Sequence, residues 1–578
     1  MMKSRRRWGA GVLVLLPMVL MGAGLGRAWS AHAKEDGAPV SVPVSRAGAT
    51  GDVYATMAAG VRRANPRAEE SDAQDPGAEA AGGAEAAGKT EAAGNTEAAG
   101  NTGSAGSADA AATQDASPRG RGVSIAETRQ SLDTPWHARL VSFLGLVVLL
   151  VIAWLLSTDR RVIQWRVVLW GTALQFVFAL LILRTAVGAA AFQAINDVVV
   201  ALLGFTVEGA RFLFGNLVQN SVPVVAADGS APAGTALVAN TGAFFAFNVL
   251  PTIIFFSSLM TVLYYLGVMQ AIVKGVAWVM LRTLRTSGAE TLAAAANIFV
   301  GQTEAPLLIK PFVASMTMSE LMAVMTAGFA TVAGGVMAAY VGMLIAHFPD
   351  IAGHLVAASV MSAPAALVIA KLMVPESEEP VTRGTLRVEV ENPDANVIDA
   401  AARGAGEGLT LALNVGAMLL AFIALIALVN ALLGWFGDLT HLTDLLRNWG
   451  WLADGQRLTL EAVFGWLFAP LAWIMGVPWE DATTVGSLIG VKTVLNEFVA
   501  YLQLSALLAE GALSPRSVVI ATYALCGFAN FSSIAIQIGG IGGIAPSRRS
   551  DLSRLGLRAM IGGTLAAFMT ATVAGMLI

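Results

Sequence analysis

Runs of about 20 apolar residues recur through the later part of this chain, and no other feature constrains its fold as strongly. A helix needs about that many to cross the hydrocarbon core of a bilayer. Residues 138–156, 166–184, 243–266, 320–346, 355–373, 409–434, 517–545 and 555–577 each supply such a run. Composition agrees, with 56% of the 578 residues apolar and 13% charged, where a soluble protein carries about 25% charged. A large water-soluble enzyme is excluded on that ground. The 36 basic residues nearly balance the 40 acidic ones, which gives no reason to expect a nucleic-acid partner. The one cysteine, Cys526, can build neither a disulfide framework nor a thiolate metal site. The five histidines fall at no ligand spacing, and no cofactor is expected.

Basic residues set the orientation, because Lys and Arg collect on the cytoplasmic side of membrane helices. Arg160, Arg161 and Arg166 follow the first run, and Lys274, Arg282 and Arg285 the third. Lys371, Arg383 and Arg387 follow the fifth, and Arg548, Arg549 and Arg554 the seventh. The chain then enters from outside, and both the N-terminal arm and the C-terminus lie outside the cytoplasm of a bacterial cell, as a multi-pass protein of its inner membrane. The N-terminus agrees independently. Lys3, Arg5, Arg6 and Arg7 precede an apolar stretch from Val12 to Leu25, with small residues Ala31 and Ala33 beyond it. Residues 1–33 read as a signal peptide or an uncleaved signal anchor. Residues 34–135 read as a disordered arm: they are poor in aromatic residues and include the repeated hexapeptides Glu85 to Thr90, Glu91 to Thr96 and Glu97 to Thr102, so no core can offset the ordering entropy.

Two further apolar stretches carry charges and fit no simple span. Residues 288–312 hold Glu304, Lys310 and two prolines, and residues 482–509 hold Lys492 and Glu497. The parity of the basic clusters requires each to leave on the side it entered, as a re-entrant hairpin, which survives at membrane depth only where protein or a watery cavity covers it. The sequels match. Gly328-Phe329-Ala330-Thr331 follows the first hairpin and Gly527-Phe528-Ala529-Asn530 the second. The expected fold is an all-α polytopic membrane protein of about eight transmembrane helices plus two re-entrant helical hairpins in an inverted repeat. Residues 138–285 form scaffold and interfacial helices, and 288–373 the first repeat. A cytoplasmic connector, a scaffold span and an interfacial segment occupy 374–480, and 482–578 form the second repeat. Secondary transporters are built this way, with the binding site at the midplane beside broken helices.

Within the first hairpin, Gly301 and Pro306 break the helix, and Gln302 and Thr303 offer uncharged donors and acceptors. An intramembrane carboxylate such as Glu304 is a functional candidate by default; a structural salt bridge to Lys310 is the alternative. In the second repeat Asn496 and Glu497 are followed by a charge-free span holding Asn530, Ser532, Ser533 and Gln537. Ser532 and Gln537 read as groups that join helices, Asn530 and Ser533 as binding groups. The run from Gly540 to Ala545 matches a loose dinucleotide-binding pattern, but lacks the surrounding βαβ unit that motif requires.

Three motifs together resemble the concentrative nucleoside transporter family: Gly301 to Leu308, Thr493 to Tyr501, and Gly527 to Ile534 with its glycine-rich sequel. The resemblance covers residues 138–578. It implies a homotrimer that imports nucleosides (the uridine, cytidine and adenosine class) by symport with Na⁺, or with H⁺ as the alternative coupling ion. By position it implies that Gln302, Thr303 and Glu304 face the nucleobase, with Val336 and Phe528 lining it. Glu497, Asn530 and Ser533 would hold the ribose hydroxyls, and Asn297, Val300, Thr331 and Val332 would hold Na⁺. A proton-driven carrier would use Glu304 or Glu497 as its protonation site, and a passive channel is the rival outside the carrier class.

Overall fold

The computed structural model describes residues 134–219, 221–223, 238–240, 245–384, 394–453 and 455–578. The export signal and the low-complexity arm expected from the sequence lie outside them. The described chain is all-α apart from one short antiparallel pair. It begins with α1 (Trp136–Leu155), α2 (Trp165–Arg184) and α3 (Ala186–Phe214), followed by strands β1 (Ser221–Pro223) and β2 (Val238–Asn240), in register with Ser221 opposite Asn240. Next come α4 (Leu250–Tyr265), α5 (Val268–Leu284), α6 (Gly288–Ala296), a 3₁₀ turn (Ala305–Ile309), α7 (Lys310–Val313), α8 (Met318–Ala330), α9 (Gly334–Leu344) and α10 (Ile351–Met373). The last part contains α11 (Val397–Leu439), α12 (Leu442–Asn448), α13 (Leu460–Ile474), α14 (Trp479–Val494), α15 (Glu497–Ala509), α16 (Pro515–Leu525), α17 (Phe531–Ile544) and α18 (Arg549–Leu577).

Among the described residues, eight helical segments are long and apolar enough to cross a membrane. The number agrees with the sequence reading but the membership does not. Residues 517–545 are not one span: α16 and α17 are separate short helices with a break at 526–530. Residues 320–346 do qualify, as Met318–Leu344, although the helix breaks at 331–333 between α8 and α9. In place of 517–545, Ala186–Val218 qualifies by length and composition, a segment expected only among the scaffold and interfacial helices of 138–285, since Asp197, Glu208 and Arg211 interrupt its apolar run. The two hairpins are present, as α6 with α7 and as α14 with α15. A bend of 118° separates α13 from α14, which starts the second hairpin.

Burial divides the bundle. In the apolar core of Met318–Leu344, Ile351–Met373 and Pro546–Leu577, 83%, 89% and 78% of residues are buried, against 28%, 17%, 22% and 22% in Trp136–Leu155, Ala186–Val218, Phe245–Tyr265 and Val397–Leu439. The repeats therefore form the packed interior. The outer helices leave Leu, Phe and Trp side chains such as Leu420, Leu428 and Trp435 exposed, as lipid-facing surfaces require.

Small residues allow the closest packing. In α11, Ala400, Gly404, Gly408 and Ala412 are buried at a spacing of four. A Cβ on Gly408 would lie 2.8 Å from Ile254 Cα in α4, so the two backbones touch, as small residues allow in membranes. Ser258 Oγ donates to Ala401 O at 2.9 Å across the same contact. The two broken helices meet in the same fashion. Gly527 takes φ of 144°, and a Cβ there would stand 2.7 Å from Phe329 O. The two matching tetrapeptides are thus packed break against break.

Candidate functional site

Helix caps at membrane depth build the site. Hairpin 1 starts with a capping box, Ser287 with Glu290, and α8 with another, Thr317 with Glu320; both satisfy amides that lipid cannot. Helix α6 stops at Asn297, and residues 297–304 run irregularly before the 3₁₀ turn. Hairpin 2 turns far more tightly, with Leu495 and Asn496 alone separating α14 from α15. Asn496 caps α15 by accepting from Val499 N at 2.9 Å, and Asn530 caps α17 by accepting from Ser533 N at 2.9 Å. Two helix N-termini, each carrying partial positive charge, therefore converge on Glu497, the first residue of α15. Its carboxylate accepts from Asn530 Nδ2 at 3.0 Å and from Tyr340 Oη at 2.8 Å.

The hydrogen bonds continue across both repeats. Asn530 Oδ1 accepts from Ser532 Oγ at 2.7 Å. Gln302 Nε2 donates to Ser533 Oγ at 3.2 Å, and Gln537 Nε2 donates to Gln302 Oε1 at 3.0 Å and to Met325 O at 3.1 Å. One connected set thus joins Gln302 in hairpin 1 to Glu497 in hairpin 2 through Ser533 and Asn530. Gln537 acts as the joining group the sequence suggested, and holds the Gln302 amide in place. The glycine run of 539–543 lies in α17, which ends at Ile544; a Cβ on Gly540 would meet Thr303 Cγ2 at 2.8 Å. Close approach to hairpin 1, rather than a phosphate, explains that glycine.

Neither tip carboxylate is ion-paired among the described residues. Glu304 accepts from Gly301 N, not from Lys310, so the structural salt bridge considered above does not form. Lys492 donates to Ala524 O at 2.9 Å rather than to Glu497. The environments of the two carboxylates differ. Glu304 is exposed to a cavity of about 750 Å³, whereas Glu497 is buried. One wall of the cavity is hairpin 1 with Ala333, Gly334 and Gly335; the other comes from α4, α5 and the start of α11. Gln302, Asn530 and Ser533 are buried behind it, engaged with one another. Val336 is buried and Phe528 half-buried, and neither is among the cavity's lining residues.

The residues expected to hold a cation cluster around the hairpin 1 loop and the α8–α9 break. Gly334 N donates to Phe299 O at 2.9 Å, which ties the two together. Asn297 Nδ2 donates to Ala293 O at 3.0 Å, leaving Asn297 Oδ1 buried without a partner among the described residues. Thr331 Oγ1 donates to Ala327 O at 2.8 Å, so its lone pairs remain free to accept. Val300 is half-buried beside them and Val332 buried. The sequence reading missed Tyr340, a lone hydroxyl in the apolar stretch 336–346. It also missed the charged cavity rim, where Arg403 donates to Asp394 at 2.6 Å and 2.9 Å and to Glu407 at 2.7 Å. That rim lies far in sequence from either hairpin.

Two inverted hairpins, two broken helices meeting at their breaks and a polar set between them define a multi-pass membrane protein of the secondary-transporter class. Residues 144–217 match the family model described as Na⁺ dependent nucleoside transporter N-terminus, 246–346 that described as nucleoside recognition, and 354–575 that described as Na⁺ dependent nucleoside transporter C-terminus. Mouse solute carrier family 28 member 3 is 43% identical over 77% of this chain and 60% of its own length, so the chain spans well under two thirds of that relative. An uncharacterized transporter of Haemophilus influenzae is 46% identical over 76% of this chain and 98% of its own. CNTnw in an inward-facing substrate-bound state superposes with a TM-score of 0.65 at 43% identity, over 76% of this chain and 98% of that one. The chain belongs to the Na⁺ dependent nucleoside transporter family.

Proposed function

We propose that this chain imports nucleosides by symport with Na⁺, moving the two repeats against the outer scaffold helices to expose one site to each side in turn. The observation that carries the reading is the hydrogen-bonded set Gln302–Ser533–Asn530–Glu497, with two tip carboxylates that no cation pairs among the described residues. A nucleoside is neutral and polar at both ends, and asks for donors and acceptors without a counter-charge. Gln302, Thr303 and Glu304 would take the base, with Val336 and Phe528 beside it; Glu497, Asn530 and Ser533 would take the ribose hydroxyls. Substrate binding exchanges the internal bonds of this set for bonds to the solute. A nucleotide would meet two negative charges.

Na⁺ as co-transported cargo suits the oxygen donors around Asn297 Oδ1, Thr331 Oγ1 and the carbonyls of Val300 and Val332, since unwound backbone is what carriers use for it. One charge crossing 100 mV contributes ~2.3 kcal/mol and a tenfold ion gradient ~1.4 kcal/mol. Together they drive several-hundredfold accumulation, so one ion per nucleoside suffices. The orphaned Asn297 oxygen favours Na⁺ over H⁺. The cavity's lining residues Tyr264, Gln270 and Arg403 lie near Lys274, Arg282 and Arg383 in sequence, the basic residues expected on the cytoplasmic side, which supports reading this as the cytoplasm-facing state. A homotrimer in a bacterial inner membrane, exported through residues 1–33 with both termini outside, completes the proposal. Labelled uridine and adenosine uptake into proteoliposomes tests it: accumulation under an imposed Na⁺ gradient is expected. Accumulation under a pH gradient alone would replace Na⁺ by H⁺, and equilibration without accumulation would mean a channel.

A further inference from the structure

Across the cavity from Glu304, the scaffold wall holds two polar atoms that the assigned site does not use. Tyr264 Oη and Gln270 Oε1 are buried with no hydrogen-bond partner among the described residues, and both residues line the cavity. Their positions are fixed relative to each other. Helix α4 ends at Tyr265, Gly267 turns the chain with φ of 79°, and α5 brings Gln270 back over the end of α4. There Gln270 Nε2 donates to Tyr264 O at 2.6 Å. That bond sets the amide orientation and leaves Oε1 as the free atom. Leaving buried polar atoms unpaired costs free energy, so a turn that places a hydroxyl and an amide oxygen, both unpartnered, among the residues of one cavity wall can meet a ligand.

We infer that Tyr264 and Gln270 form a second nucleobase contact, used when the substrate leaves toward the cytoplasm; the inference rests on the nucleoside reading above. A hydroxyl donor and an amide acceptor on one wall suit, in kind, the C=O and N–H of a uracil imide, or the ring nitrogen and amino group of adenine. Tyr264 Oη donates to the base oxygen or ring nitrogen, and Gln270 Oε1 accepts from the neighbouring N–H. Both residues sit on the scaffold, whereas Gln302, Thr303 and Glu304 ride on hairpin 1. The base therefore reaches both sets only while hairpin 1 borders this cavity. The contact belongs to one state of the cycle and lowers the barrier to handing the solute over.

Oriented proteoliposomes test this, with half-saturation for labelled uridine measured separately from each face. The variants are Tyr264→Phe, which keeps the ring, and Gln270→Leu, with thermal midpoints recorded alongside. Each variant is expected to raise the cytoplasmic-face value about 3- to 10-fold, the size of one lost hydrogen bond, with the external-face value unchanged. Equal shifts on both faces would assign the pair to the main site or to folding, and an unchanged cytoplasmic value would leave the two atoms to water; either overturns the inference. Wild-type protein carrying neither uridine nor adenosine would sink the nucleoside reading itself, and this contact with it.

Discussion

The two hairpins are anchored alike at their bases and differ at their tips. At the base of hairpin 1, Glu290 is fully buried and meets Lys371 Nζ at 2.8 Å, and the same ammonium reaches Glu376 at 3.1 Å and Ser319 Oγ at 2.9 Å. At the base of hairpin 2, Asp481 accepts from Ser514 Oγ at 2.7 Å and Ser517 Oγ at 2.6 Å, both at the start of α16. In each repeat a base carboxylate ties the hairpin to the bundle. At the tips, hairpin 1 runs irregularly over 297–304 and leaves Glu304 facing a cavity, whereas hairpin 2 turns within two residues and seals Glu497 among Asn530, Tyr340 and two helix ends. A carboxylate tied to the bundle, by the Lys371 ammonium or by serine hydroxyls, holds structure; one open to a cavity is available to a ligand.

Lys371→Met should have the largest effect, because it strands Glu290 in the core without a cation. Losing one partner of a buried ion pair costs about 3–5 kcal/mol, and size-exclusion and thermal melting in detergent should show loss of folded protein. Adding Glu290→Gln should recover much of it; an unaltered melting curve for Lys371→Met alone would mean that the base is no anchor. Next in size is Glu497→Gln, at about 100-fold lower uridine uptake, since hydrogen bonds to a charged group are worth about 1.5–3 kcal/mol. Assembly and melting temperature should hold, and normal uptake would remove Glu497 from the site. Glu304→Gln is the smallest, at about 10-fold, because water in the cavity compensates there for lost charge. The comparison between the tips fails if Glu304→Gln proves the more damaging of the two.

Much of the candidate site was legible because the bilayer penalises every polar group within it. Glu304, Glu497 and Asn530 stand out in apolar stretches for that reason alone, and Gly301 and Gly527 mark breaks through backbone chemistry. Hydropathy failed where it averaged. It read 517–545 as one span, and gave no sign of the break inside 320–346, because a few intervening residues leave the mean hydropathy almost unchanged. It did not count 186–218 as a span because Asp197, Glu208 and Arg211 interrupt the apolar run.

The sequence by itself determined the all-α membrane class, the two hairpins and their repeat, since burial in lipid leaves so few ways to satisfy a backbone. Tertiary structure alone decided which carboxylates find cations. Lys310 and Lys492 lie within six residues of Glu304 and Glu497, yet pair with neither, while Lys371 crosses to Glu290, 81 positions away in the chain (371 − 290 = 81). Pairing depends on which helix faces meet, and that is set by packing between segments distant in sequence. Tyr340 meeting Glu497, and the cavity shared by Tyr264, Gln270 and Glu304, follow from the same cause.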